Sequence, residues 1–156
     1  MKIKIMSRAA IEKYAESPMN EKTAVISITD SGTEFAELKN MPDYIHRVAF
    51  DDVDNDVIVD ETRKGASDEE RRATEIKYNM FSDGQAKDMA EFYFSVCDKV
   101  ELIICQCEHG QSRSAAVAAA ILEYRSRRGI TVFSHDSYYP NKVVFRRLLA
   151  ALTDMG

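Results

Sequence analysis

The chain reads as a single α/β domain, residues 1–156, with a central, mostly parallel sheet flanked by helices on both faces. Three observations predict this. Short apolar runs of strand character alternate with stretches of helical periodicity from one end of the chain to the other. The run Leu102-Ile103-Ile104-Cys105-Gln106 has the character of a strand buried inside a sheet. Two chemically suggestive residues, Asp52 and Cys107, each fall just past a predicted strand, and ligands in open α/β sheets bind outside those carboxyl ends.

The elements follow in order. Lys2 to Met6 alternates charged and apolar residues as an exposed edge strand does, and Ser7 is placed to cap a helix running to about Glu16, which Pro18 and Asn20 end. Val25 to Thr29 predicts a buried strand, Asp30-Ser31-Gly32 a turn, and Tyr44 to Phe50 a further strand. From Asp60 to Lys77, Arg63, Lys64, Arg71, Arg72 and Lys77 are mixed with acids, which fits a mobile lid or a solvated loop with a short helix from Ser67. Ser82 with Gln85 three residues on forms a capping box, and Ala86, Met89, Ala90, Tyr93 and Phe94 give the following helix an apolar face that ends near Cys97. The helix after Cys107 buries Val117, Ala118, Ile121 and Leu122 and is expected to stop at Gly129, after Arg127 and Arg128. Asn141 to Leu152 is a last amphipathic helix.

Composition narrows the class. With 156 residues and 45% hydrophobic content, one sizeable core is expected and no domain boundary is needed. There are six glycines, three prolines and no apparent repeat or low-complexity tract. No apolar run approaches a membrane span, and Met1-Lys2-Ile3-Lys4-Ile5-Met6 turns polar too quickly for a secretory signal, so a cytoplasmic location is expected. Cys97, Cys105 and Cys107 make no disulfide framework, and neither their spacing nor the histidines suggest a metal site; no cofactor is expected. A net charge of −5 argues against an extended nucleic-acid surface.

The chemistry concentrates in Cys107-Glu108-His109-Gly110-Gln111-Ser112-Arg113-Ser114, a short loop between the buried strand and the Ala-rich helix. Backbone N–H groups at such a junction point at an anion. A nucleophilic thiol works as thiolate, which a helix N-terminus, converging amides and a nearby Arg all favour. Arg113 brings a planar fork that holds two phosphate oxygens at once, Gly110 frees the backbone, and Ser114 is placed to donate a hydrogen bond to a departing thiolate.

Cys-x5-Arg-Ser with Gly in the loop resembles the signature of the cysteine-dependent protein tyrosine and dual-specificity phosphatases. Phe50-Asp51-Asp52 resembles the general-acid loop of the dual-specificity branch, which points to Asp52, with Asp51 and Asp54 as fallbacks. Met80-Phe81-Ser82 before a helix and Pro140-Asn141 opening the last one are similar to small bacterial and phage members, so the resemblance runs from about Val25 to Leu152. It implies a phosphatase-like fold and hydrolysis of phosphate monoesters on a phosphorylated protein or a small molecule. Cys107, Arg113, Asp52 and Ser114 would be catalytic, and Glu108, His109, Gly110, Gln111, Ser112 and Arg113 would form the phosphate loop. Two features depart from the pattern: Gln106 stands where His usually precedes the Cys, and the interval from Asp52 to Cys107 is long, as if by an insertion near residues 60–79.

Competing readings remain for several residues. Cys105 is either a redox partner of Cys107 or a small core residue, and His109 either contacts substrate or lines the rim. Arg125, Arg127 and Arg128 fit a helix end better than a basic patch, and Asn141 either orients water or a loop or simply caps its helix. A phosphate-binding protein without efficient turnover, and a thiol enzyme of sulfur transfer or arsenate reduction, are the alternatives to a phosphatase.

Overall fold

The computed structural model describes residues 1–53 and 67–156, so the Asp54 fallback and residues 60–66 of the expected insertion lie outside the described residues. Four strands form one sheet: β1 (Lys2–Met6), β2 (Thr23–Thr29), β3 (Tyr44–Ala49) and β4 (Leu102–Gln106). Their order is β1-β4-β2-β3 and every pairing is parallel, so all four carboxyl ends meet on one rim. Ile103 lies opposite Ile3 on one side and Ala24 on the other. Six helices lie among the described residues: α1 (Arg8–Tyr14), α2 (Asp68–Lys77), α3 (Asp83–Val96), α4 (Arg113–Ser126), α5 (Ile130–Phe133) and α6 (Lys142–Met155).

Strand side chains alternate between two cores. Ala24, Ile26, Ile28, Ile103 and Cys105 pack with Met89, Ala90 and Tyr93 of α3, Val117 and Ile121 of α4, and Val144 and Leu148 of α6. Val25, Leu102 and Ile104 turn to the opposite face, where Ile11 of α1 and the segment with Ala36 and Leu38 cover them. The sheet is therefore covered on both faces, by three long helices on one and by a single short helix plus irregular chain on the other. Fully burying one such aliphatic side chain stabilises by about 1.5–3 kcal/mol.

The local signals act as their chemistry requires. Ser7 accepts a hydrogen bond from Ala10 N at 3.1 Å, and Ser82 and Gln85 close the capping box of α3. Ser67 caps α2 by accepting from Glu70 N at 3.2 Å; Asp68, Glu69 and Glu70 fill its first turn and Lys77 its last, as the helix dipole favours. Residues 67–77 of the charged stretch are thus a capped helix that buries none of its side chains. Arg147 of α6 joins it to the core, pairing with Glu75 and donating to Phe81 O at 2.7 Å.

One helix end differs from expectation. α4 closes at Ser126, and Arg127 takes the left-handed conformation (φ 57°) that glycine usually supplies. Gly129 has right-handed backbone and serves by its small size, because a Cβ there would come within 2.8 Å of Ala119 O.

Ile103 is fully buried in the central strand, so Ile103→Ala is expected to cost about 2–5 kcal/mol, read as a lower midpoint of urea unfolding.

Candidate active site

The carboxyl rim gathers four connections: β1 into Ser7 and Arg8, β2 into Asp30, β3 into Phe50 to Val53, and β4 into the loop from Cys107 to Ser114. The thiol lies at the bottom. Cys107 is 2% exposed and its Sγ is 3.1 Å from Ser114 Oγ, the contact expected of a hydroxyl that supports a thiolate.

Arg113, the first residue of α4, is 4% exposed. Its Nη1 donates to Phe50 O at 2.8 Å and pairs with Asp30 Oδ1 at 2.7 Å. Nε is buried with no partner, and Nη2 has none among the described residues. Nε and Nη2 form the side-on edge of the guanidinium, which grips two oxygens of one phosphate. A desolvated donor left unmade costs about 1–3 kcal/mol, and an anion in the loop would recover it.

The loop backbone points the same way. Among the described residues no N–H from Glu108 to Ser112 donates to another protein group. Ser112 occupies the N-cap position of α4, yet its hydroxyl does not cap; it donates to Asp52 Oδ1 at 2.8 Å. The first turn of a 14-residue helix is thus free of a side-chain cap, and its dipole favours a negative ligand there.

Gly110 is required twice. It has φ 68°, and a Cβ there would come within 2.6 Å of Ser7 N and 2.8 Å of Met6 C. The loop therefore rests on the β1–α1 junction. Arg8 clamps that contact, with Nε on Glu108 Oε2 at 2.7 Å and Nη2 on Thr29 Oγ1 at 2.8 Å and Glu34 O at 2.7 Å. The Glu108 carboxylate is thereby held on Arg8, while His109 stands exposed on the loop. Gln111 accepts from Tyr139 N at 2.8 Å through its carbonyl, and its side chain is exposed.

Gln106 takes up both of its amide functions. It is fully buried, its Oε1 accepts from Ser27 Oγ at 2.5 Å, and its Nε2 donates to Cys107 O at 3.0 Å. The residue before the thiol thereby ties the start of the loop to β2.

Asp52 reaches the loop and Asp51 does not. Asp52 Oδ1 accepts from Ser112 Oγ and from Asn141 Nδ2, each at 2.8 Å, while its Oδ2 has no partner among the described residues. Asp51 Oδ1 instead accepts from Ser31 N at 2.9 Å, and Asp51 N donates to Asn79 O at 2.8 Å, so Asp51 pins the segment after β3 to its neighbours. Asn141 performs both roles considered for it: Oδ1 accepts from Val144 N at 3.1 Å as a helix cap, and Nδ2 holds Asp52 and Val53 O. Cys105 is wholly buried, and burial pushes its thiol pKa far up, so it behaves as a core residue. Burial also raises the Cys97 thiol.

Sequence reasoning passed over Asp30, Arg8 and Ser27. Asp30 sat in a turn-forming triplet and Ser27 inside a strand, and only the sheet order brings them to the loop. Among the described residues no group of three or more His, Cys, Asp or Glu side chains could hold a metal ion, and no helix is long and apolar enough to cross a membrane.

Gly110→Ala is expected to lower stability, read as a lower midpoint of urea unfolding, because the loop must move off Ser7. Gln106→Leu orphans Ser27 Oγ and Cys107 O and is expected to cost about 1–3 kcal/mol in urea unfolding; a loss under 0.5 kcal/mol would contradict the role assigned to that amide. No protein-family model matches the chain and no curated protein matches it.

Proposed function

We propose that the chain is a phosphomonoesterase of the cysteine-dependent protein tyrosine and dual-specificity phosphatase type, working through a phosphocysteine intermediate. One observation carries the reading: the buried Arg113 presents an unpartnered Nε in the same loop that holds Cys107 Sγ 3.1 Å from Ser114 Oγ. An anion-binding edge and a nucleophile with its own hydrogen-bond donor are the two halves of thiol-based phosphoryl transfer.

In this reading the loop amides and the Nε/Nη2 edge of Arg113 bind the three non-bridging oxygens. Cys107 Sγ, as thiolate, attacks phosphorus in line; the S–P bond forms as the ester P–O bond breaks. Asp52, held through Oδ1, delivers a proton from its open Oδ2 to the departing oxygen. Water then attacks the thiophosphate, Asp52 takes its proton, the S–P bond breaks, and Ser114 stabilises the returning thiolate. Inorganic phosphate leaves and the enzyme is restored. Serving as acid and then as base suits a carboxylate that is exposed yet positioned by two donors.

Hydrolysis of a small aryl phosphate tests the reading. Wild type is expected to turn over, Cys107→Ser to bind vanadate or phosphate without turnover, and Asp52→Asn to lose about 10²–10⁴-fold in kcat. Wild-type binding of phosphate without hydrolysis would overturn the enzyme in favour of a phosphate-binding protein, and undiminished activity in Cys107→Ser would remove the thiol from the mechanism.

A further inference from the structure

The charges around the loop are unequal to its task in an informative way. Arg113 is neutralised by Asp30 at 2.7 Å, and Arg8, the other cation paired at the loop among the described residues, by Glu108 at 2.7 Å. Asp51 and Asp52 then stand without a cation among the described residues. Asp30, Asp51 and Asp52 each commit Oδ1 to the fold and leave Oδ2 without a partner among the described residues, and the Asp30 side chain is 47% exposed. Lys142 lines a separate cleft with Phe133, Tyr138, Tyr139 and Pro140.

The bottom of the site, with its orphaned guanidinium edge, accepts one phosphate, whereas its mouth repels further negative charge and attracts positive charge. Resting on the phosphatase reading, we propose that the preferred substrates are phosphorylated protein segments with Lys or Arg beside the phosphorylated residue. The basic side chain meets the open carboxylate oxygens of Asp30 and Asp51 while the phosphate occupies the loop. Polyphosphorylated lipids and nucleotides are disfavoured by the same carboxylates.

The test compares two phosphotyrosine peptides that differ only in flanking Lys or flanking Glu. The Lys peptide is expected to have a kcat/KM at least about tenfold higher at low salt, a preference that shrinks at about 0.5 M salt as the Debye length falls. Asp30→Asn with Asp51→Asn is expected to reduce the ratio several-fold, and the ratio stays meaningful if the absolute rate drops. Calorimetric binding of both peptides to Cys107→Ser reads the same ratio without turnover. Equal or reversed preference in wild type, an unchanged ratio in the double variant, or faster hydrolysis of a doubly phosphorylated peptide would overturn the proposal. Aryl phosphate turnover without the Lys preference would sink this inference alone, while absence of aryl phosphate turnover would sink the phosphatase reading beneath it.

Discussion

A buried guanidinium held by one nitrogen is the constraint around which the rim is arranged. Removing a cation from water is costly unless it is paired and hydrogen-bonded, and among the described residues Arg113 at 4% exposure meets that requirement through Nη1 alone. Asp30 arrives from the end of β2 and the Phe50 carbonyl from the end of β3, so the two strands that share a ladder also share the anchor of the first residue of α4. With Nη1 engaged, the side chain cannot rotate to satisfy Nε elsewhere. The unsatisfied edge is thus a product of the fold, and a donor fixed in advance stabilises an incoming anion without reorganisation.

The part of this arrangement legible in the sequence is the part that is contiguous. Cys107 to Ser114 form one loop, and their roles follow from their neighbours along the chain. The alternation of strands and helices likewise follows from periodicity, and the capping box of α3 from two residues three apart. Long-range partners were not legible. Arg8 meets Glu108 across 100 positions, and Ser27 meets Gln106 across 79, because β4 lies between β1 and β2, an order that no local pattern encodes. The end of α4 was misread for a different reason. A glycine past two arginines is a strong stop signal, but Arg127 turned left-handed first, and Gly129 answers to the space beside Ala119.

Gln106 supports the loop through an uncharged side chain. A side-chain amide offers a donor and an acceptor on one rigid plane, and both are used, toward Cys107 O and Ser27 Oγ. Unlike an imidazole it carries no proton that comes and goes near neutral pH. The support beneath the loop is therefore the same across the physiological range.

The pairing of β1 with β4 has a consequence for the order in which this molecule becomes itself. Residues 2–6 wait for residues 102–106, Gly110 closes onto Ser7, and Asp52 is held only when both Ser112 and Asn141 have reached it. Contacts of such sequence separation carry a large loop-closure entropy and form late. On the ribosome the early strands would be made long before their central neighbour exists, leaving apolar edges open to wrong partners. The completed rim is thereby a report that the entire chain has found its place.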